Sequence, residues 1–172
     1  FSVILSLSLP PLIVWAAMLY NHPLVWIFSI LGMGIAQNRL FIIHHEAAHR
    51  LLFSNRKIND MVGIRFIGWI AFGSGSHGYR IGHIRHHRDE FGPEEPDFIL
   101  YSFYPISKSS MSRKLLRDLS GISAFRILRP RFQRLNEFRH LRLTISFLSG
   151  QLMIATLFWL LSNLTMYLFF WI

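Results

Sequence analysis

Residues 24–49 read LVWIFSILGMGIAQNRLFIIHHEAAH. From Leu24 to Ile43 the side chains are apolar apart from Ser29, Gln37, Asn38 and Arg39. Such a run meets the roughly 20 helical residues needed to cross a bilayer core of about 30 Å. The cluster of polar residues falls late in the run, and His44, His45 and His49 follow it around Glu46. On a helix His45 and His49 are four apart, so their rings share one face and can share an ion. The stretch reads as a membrane span whose emerging end carries a pair of candidate metal ligands.

Upstream, Phe1 to Tyr20 is a second apolar run, bent or started by Pro10-Pro11, and Asn21-His22-Pro23 is a short break between the two. So tight a connection predicts an antiparallel helical hairpin. Across the chain, 52% of the 172 residues are hydrophobic and only 16% charged, with a mean hydropathy of +0.34. All 18 Lys+Arg and all 9 Asp+Glu lie between Arg39 and Arg142, leaving residues 1–38 and 143–172 without formal charge. This pattern excludes a secreted disulfide scaffold, a disordered chain and most soluble folds. Residues 1–20 lack the basic leader and small-residue cleavage site of a signal peptide, so a span is the better reading. The turn at 21–23 has no Lys or Arg, which places it outside and the charged block in the cytosol.

Further along, Leu143 to Ile172 exceeds one span, and Ser162-Asn163 interrupts it. The expected architecture is an all-α integral membrane protein of two helical hairpins, with a cytosolic helical cap. It is a single domain over 1–172 with spans at about 1–20, 24–43, 143–161 and 164–172, the last truncated, and a cytosolic block at 44–142. The first residue is Phe and the last falls inside an apolar run, so the chain reads as a piece of a longer one. Within the block, Ile64 to Phe72 is apolar but too short to span and predicts a re-entrant or interfacial element, whereas Pro93, Pro96 and Pro105 make 91–106 a loop. Arg113 to Arg142 interleaves nine Lys/Arg with Leu115, Leu119, Ile122 and Phe125 at helical spacing, a pattern suited to an anionic membrane surface.

The chain has no cysteine, so any metal must be held by nitrogen or oxygen. Seven of the nine His lie between positions 44 and 87, the second group being His83-Ile84-Arg85-His86-His87. His83 and His87 repeat the i,i+4 relation, and His86 sits three beyond His83. Both groups fall in the cytosolic block, where they can converge at the membrane surface. Five imidazoles without a thiolate suit iron, zinc or copper and exceed the three protein ligands of one catalytic zinc, so two metals are implied. Glu46, Asp89 and Glu90 stand beside these histidines and either hold an imidazole N–H or answer Arg85 and Arg88 at the surface.

HEAAH at 45–49 and HIRHH at 83–87, set between a helical hairpin and a later apolar pair, resemble the first two histidine boxes of the membrane fatty acid desaturases. The resemblance covers essentially the whole chain. It implies a four-span protein whose cytosolic boxes bind two iron ions, activate dioxygen and remove hydrogens from an unactivated carbon–carbon single bond of an acyl chain. It makes His45, His49, His83, His86 and His87 metal ligands, with no catalytic residue beyond them. The family pattern has a third HxxHH box after the fourth span, which the sequence does not reach, so the chain by itself is not expected to turn over. The implied partners are a lipid acyl substrate, the membrane and an electron donor such as ferredoxin or a cytochrome, and no nucleic acid.

Rival readings use the same residues less fully. His45-Glu46-x-x-His49 is also the HExxH pattern of zinc proteases, but that reading leaves His83, His86 and His87 without a role. Hydroxylases and ketolases acting on alkanes, sterols or carotenoids carry similar boxes, and nothing in the sequence separates them from desaturases. Gly73-x-Gly75-x-x-Gly78 matches a dinucleotide fingerprint without a βαβ unit around it, and is read as a loop bending into the second box. His44 is one residue out of phase with the ligand face and is read as a packed neighbour. His22 and His140 are read as structural and His77 as outside the ligand set, Gln151 as a channel residue or an interhelix hydrogen bond, and Asn163-Leu164-Thr165 as a chance glycosylation match.

Overall fold

The computed structural model describes residues 2–73, 77–133 and 135–172. Every regular element among them is helical, and three helices are long and apolar enough to cross a membrane. The chain divides into two compact units, Phe1–His77 with Ser146–Ile172, and Gly78–Ile145.

The first unit is built on α1 (Ser2–Tyr20) and α2 (Pro23–Ala48). α1 starts ahead of Pro10-Pro11 and runs through both, as membrane helices tolerate. Asn21, with φ 36, turns the chain, and His22 caps α2 by accepting the Leu24 N–H at 3.3 Å, with Pro23 at the first helical position. Ala17 and Ala36 are fully buried between the helices, small enough to let the backbones approach, beside Val14 and Met33.

α2 continues past Ile43 to Ala48. The polar residues at 37–39 suggested an exit from lipid, but no Gly or Pro stops the helix, which ends only before Arg50 at φ 63. At 26 residues α2 is roughly 39 Å long, about 9 Å or six residues more than a 30 Å hydrocarbon core requires. The first histidine box is thus the last turn of a helix long and apolar enough to cross a membrane.

The chain then folds back through α3 (Arg56–Asn59), a π-helical segment (Asp60–Ile67) and α4 (Gly68–Phe72). The apolar stretch expected as a short re-entrant or interfacial piece is this helix, with Ile64, Ile67 and Ile70 buried. Gly63 lies so close to α2 that a Cβ there would sit 2.2 Å from Ala47 Cβ. Gly73 ends α4 at φ 66 against Phe147. α9 (Phe138–Leu161) begins five residues earlier than the span read at 143. From Ser146 onward it packs in this unit, where Trp69 Nε1 donates to Ser146 O and to Ser149 Oγ, both at 3.0 Å.

Asn163 caps α10 (Leu164–Phe170) by accepting the Met166 N–H at 3.0 Å, a structural use for the residue that matched the sugar acceptor. Gln151 is the interhelix bond: its Oε1 accepts from Tyr167 Oη at 3.0 Å and Trp171 Nε1 at 3.1 Å. Gln37 of α2 donates to the Trp171 carbonyl at 3.0 Å.

The second unit holds α5 (Gly78–Asp89), a loop broken only by the single turn α6 (Phe98–Tyr101), then α7 (Lys108–Leu119) and α8 (Ile122–Gln133), and the start of α9. The 113–142 segment is therefore three helices. Gly121, at φ 75, separates α7 from α8, which pack on each other.

Candidate metal centre

The first box is shaped by the π-helical segment behind it. Asn59 is fully buried; its Nδ2 donates to Ala47 O at 2.9 Å and to Asp60 Oδ1 at 3.0 Å, and its Oδ1 accepts the Leu52 N–H at 3.2 Å. These bonds tie the last turn of α2 to the returning chain. His44 is buried on the same side, its Nδ1 2.8 Å from Gly63 O and its ring against Phe72. Since a carbonyl only accepts, the neutral ring carries its proton on Nδ1. His44 is thus the packed neighbour its phase predicted.

His45 and His49 lie on the opposite, half-exposed face, with ring centroids 4.8 Å apart. His45 Nδ1 is 3.3 Å from Glu46 Oε1, a contact that favours the tautomer with its proton on Nδ1.

The second box lies on α5. His83 and His87 have ring centroids 4.6 Å apart and Nε2 atoms 3.2 Å apart. Two metal–nitrogen bonds of about 2.1 Å opening at about 100° put their nitrogens about 3.2 Å apart, so the pair has the bite of a single ion. Tyr79 stacks on His83 at 5.4 Å with 7° between the planes. Burial, and then the Asp97 carboxylate, push the Tyr79 phenol above its ordinary range, so it stays protonated.

His86 completes the box at centroid distances of 5.9 Å from His83 and 5.3 Å from His87. Its Nδ1 hydrogen-bonds Glu95 Oε1, and the other Glu95 oxygen accepts the Phe91 N–H at 2.8 Å. The Glu95 side chain is wholly buried, and Asp97 stands 3.7 Å from the same His86 nitrogen. A buried carboxylate holding Nδ1–H fixes the tautomer that offers Nε2 to a metal.

Glu95 is the residue that reading the sequence missed. The signal was the Glu94-Glu95-Pro96-Asp97 cluster, set apart from the box by a proline-bracketed loop. Among the carboxylates singled out beforehand, Asp89 is at the surface: Arg88 donates to it twice at 2.7 Å and holds its carboxyl below the usual range, and Arg85 is 3.7 Å away. Glu90 is exposed, with no hydrogen bond or ion pair among the described residues. His140 in the first turn of α9 lies 3.4 Å from Glu137, the residue just before that helix. His77 precedes α5, and Gly75 of the glycine pattern lies outside the described residues.

The structure thus brings His45 to His49 within the first unit, and His83 to His86 and His87 within the second. Carboxylates hold His45 and His86 by Nδ1, one in each unit. The donor set fits a borderline metal such as iron. The first unit also contains an apolar cavity of 550 Å³ lined mainly by residues of α1 and α9, among them Pro11, Val14, Ile154 and Phe158, with Trp171 just past α10. Its size is within the range of about 300–1,000 Å³ usual for ligand sites.

A helical membrane chain with two histidine boxes defines a class, and the comparison with known families agrees. The sequence profile of the fatty acid desaturase family matches residues 7–172, and the chain belongs to that family. Among curated proteins, it is similar to the sn-1 oleoyl-lipid 12-desaturase of Arthrospira platensis, 39% identical over 67 residues, which are 38% of this chain and 17% of that protein. The sn-1 oleoyl-lipid 12-desaturase of Anabaena variabilis is 35% identical over 66 residues, again 38% of this chain and 17% of the relative. No solved structure matches the chain.

Proposed function

We propose that this chain is the two-box part of a membrane desaturase that uses dioxygen to introduce a double bond into a lipid acyl chain. In this reading His45, His49, His83, His86 and His87 hold part of a pair of irons. A histidine-ligated iron pair, when bound, supplies the oxidising chemistry that takes two hydrogens from an acyl carbon–carbon single bond. Balance requires one dioxygen, two protons and two electrons for each double bond and two waters formed. The electrons come from a one-electron carrier such as a ferredoxin or a cytochrome.

The chain's own residues orient the donors. Glu46 and Glu95 hold imidazole rings by Nδ1, and Asn59 fixes the turn carrying the first pair. The apolar cavity offers a water-poor place for an acyl chain. The names of the relatives point to a glycerolipid acyl group, and we assign that substrate class here.

The observation that carries the reading is the 3.2 Å bite between His83 and His87 Nε2 in a chain of the desaturase family. The test joins this chain to a segment bearing a third HxxHH box, expresses it in a host lacking the activity, and analyses membrane acyl chains by gas chromatography. A new double bond that disappears when any one of the five histidines becomes alanine supports the proposal. A hydroxylated chain instead would move the assignment to the hydroxylases, and product retained in two or more of the five variants would refute the ligand set.

A further inference from the structure

We propose that α7 and α8 are an anionic-lipid foot: they lie in the headgroup layer of a phospholipid leaflet beside the point where α9 enters the bilayer. This inference stands apart from the metal chemistry. α7 has no buried residue, yet Met111, Leu115 and Leu119 recur at i,i+4 spacing on one of its faces. After the turn at Gly121, Ile122 and Phe125 continue the apolar series, and Leu119 is 85% exposed and Phe125 65%. A regular apolar stripe left uncovered on a capped helix calls for a cover.

Charge selects the cover. Residues 108–133 carry Lys108, Arg113, Lys114, Arg117, Arg126, Arg129 and Arg131 against Asp118 alone. That carboxylate is engaged by Lys114 at 3.0 Å and by the Ser123 hydroxyl, and Arg126 has no ion pair among the described residues. Cations around an apolar stripe match anionic headgroups above acyl chains. An acidic electron carrier would answer the cations but leave the stripe in water.

Chain connectivity makes the placement local. α8 ends at Gln133 and α9 begins at Phe138, and five residues of chain reach at most roughly 18 Å. The foot is therefore leashed to a helix of membrane-spanning length and composition.

The chain has no cysteine, so one introduced thiol labels uniquely. Leu119→Cys and, on the opposite face, Ser110→Cys are each labelled with an environment-sensitive fluorophore. The protein is then placed in nanodiscs of phosphatidylcholine with or without phosphatidylglycerol, some bearing brominated acyl chains. The expected result is a blue-shifted label at position 119 that brominated lipid quenches in phosphatidylglycerol discs and that salt releases, while the label at 110 stays in water. Removing two cations (Arg117→Gln with Arg126→Gln) shifts the docked-to-free ratio by about 25-fold, at about fivefold per cation, with helicity unchanged. Three outcomes overturn the proposal: a label at 119 open to aqueous quencher in both lipids, lipid quenching equal in both lipids and indifferent to salt, or protection only when an acidic redox protein is added.

Discussion

Replacing Glu95 tests how the second box holds its third histidine. The carboxylate is fully buried and each oxygen has one donor, His86 Nδ1–H on one and Phe91 N–H on the other. Glutamine is nearly isosteric but offers one acceptor where two are needed. If its oxygen takes the Phe91 N–H, its NH2 faces His86, whose ring must then accept at Nδ1 and carry its proton on Nε2, where it cannot bind a metal. If the oxygen keeps His86, a buried N–H at Phe91 goes unpaired, at a cost of about 1–3 kcal/mol. Loss of such a partner typically lowers metal affinity by about 10- to 100-fold, or about 1.4–2.7 kcal/mol. We expect Glu95→Gln near the lower end and Glu95→Ala near the upper. Asp97, 3.7 Å from the same nitrogen, supplies partial rescue that Asp97→Asn removes. Cobalt titration of the purified chain, followed by visible absorption against a competing chelator, reads these changes without turnover. Unaltered affinity in Glu95→Gln and Glu95→Ala, with helicity intact, would refute the role given to Glu95 and to His86.

Other outcomes follow from the same contacts. Gly63→Ala puts a methyl 2.2 Å from Ala47 Cβ, so either the π-helical segment or the last turn of α2 must move, destabilising the protein by about 1–3 kcal/mol and weakening metal binding in the cobalt assay. Gln151→Leu leaves the Tyr167 hydroxyl and the Trp171 indole without their shared acceptor, and should raise hydrogen exchange in α10 at a cost of about 0.6–1.7 kcal/mol. His22→Ala removes only the cap of α2, so lower thermal stability with unchanged metal binding is expected, in contrast to the five proposed ligands. Hydrogen bonds from Ser123 and Lys114 hold the Asp118 carboxyl below its ordinary range. Its contribution to the α7–α8 packing is therefore present above that range and lost as pH falls through the lowered value, which hydrogen exchange across the Gly121 turn would report.

The membrane helices were legible because an uncharged apolar run has few other outcomes, and the break at Asn21-His22-Pro23 became the turn and cap those residues favour. The helix of α2 runs past the polar residues at 37–39 because Gln37 and Arg39 find partners in neighbouring segments, the Trp171 carbonyl and the Ser6 hydroxyl, which spacing along the chain does not reveal. The π-helical segment could not be read, since apolar spacing over eight residues does not distinguish i→i+5 bonding from i→i+4. His44 was separated from His45 and His49 by helical phase alone, and its bond to Gly63 bears that out. Glu95 escaped because its partner lies nine residues back across an irregular loop, where spacing carries no geometric rule.

The central claim is that histidines from both boxes serve one iron pair, and X-ray absorption on the iron-loaded protein tests it most directly. The account predicts imidazole ligation with a metal–metal scattering shell at about 3.5–4 Å, lost in both His45→Ala/His49→Ala and His83→Ala/His87→Ala. Iron bound independently by each pair, with no metal–metal shell and no effect of one double variant on the other pair, would contradict it.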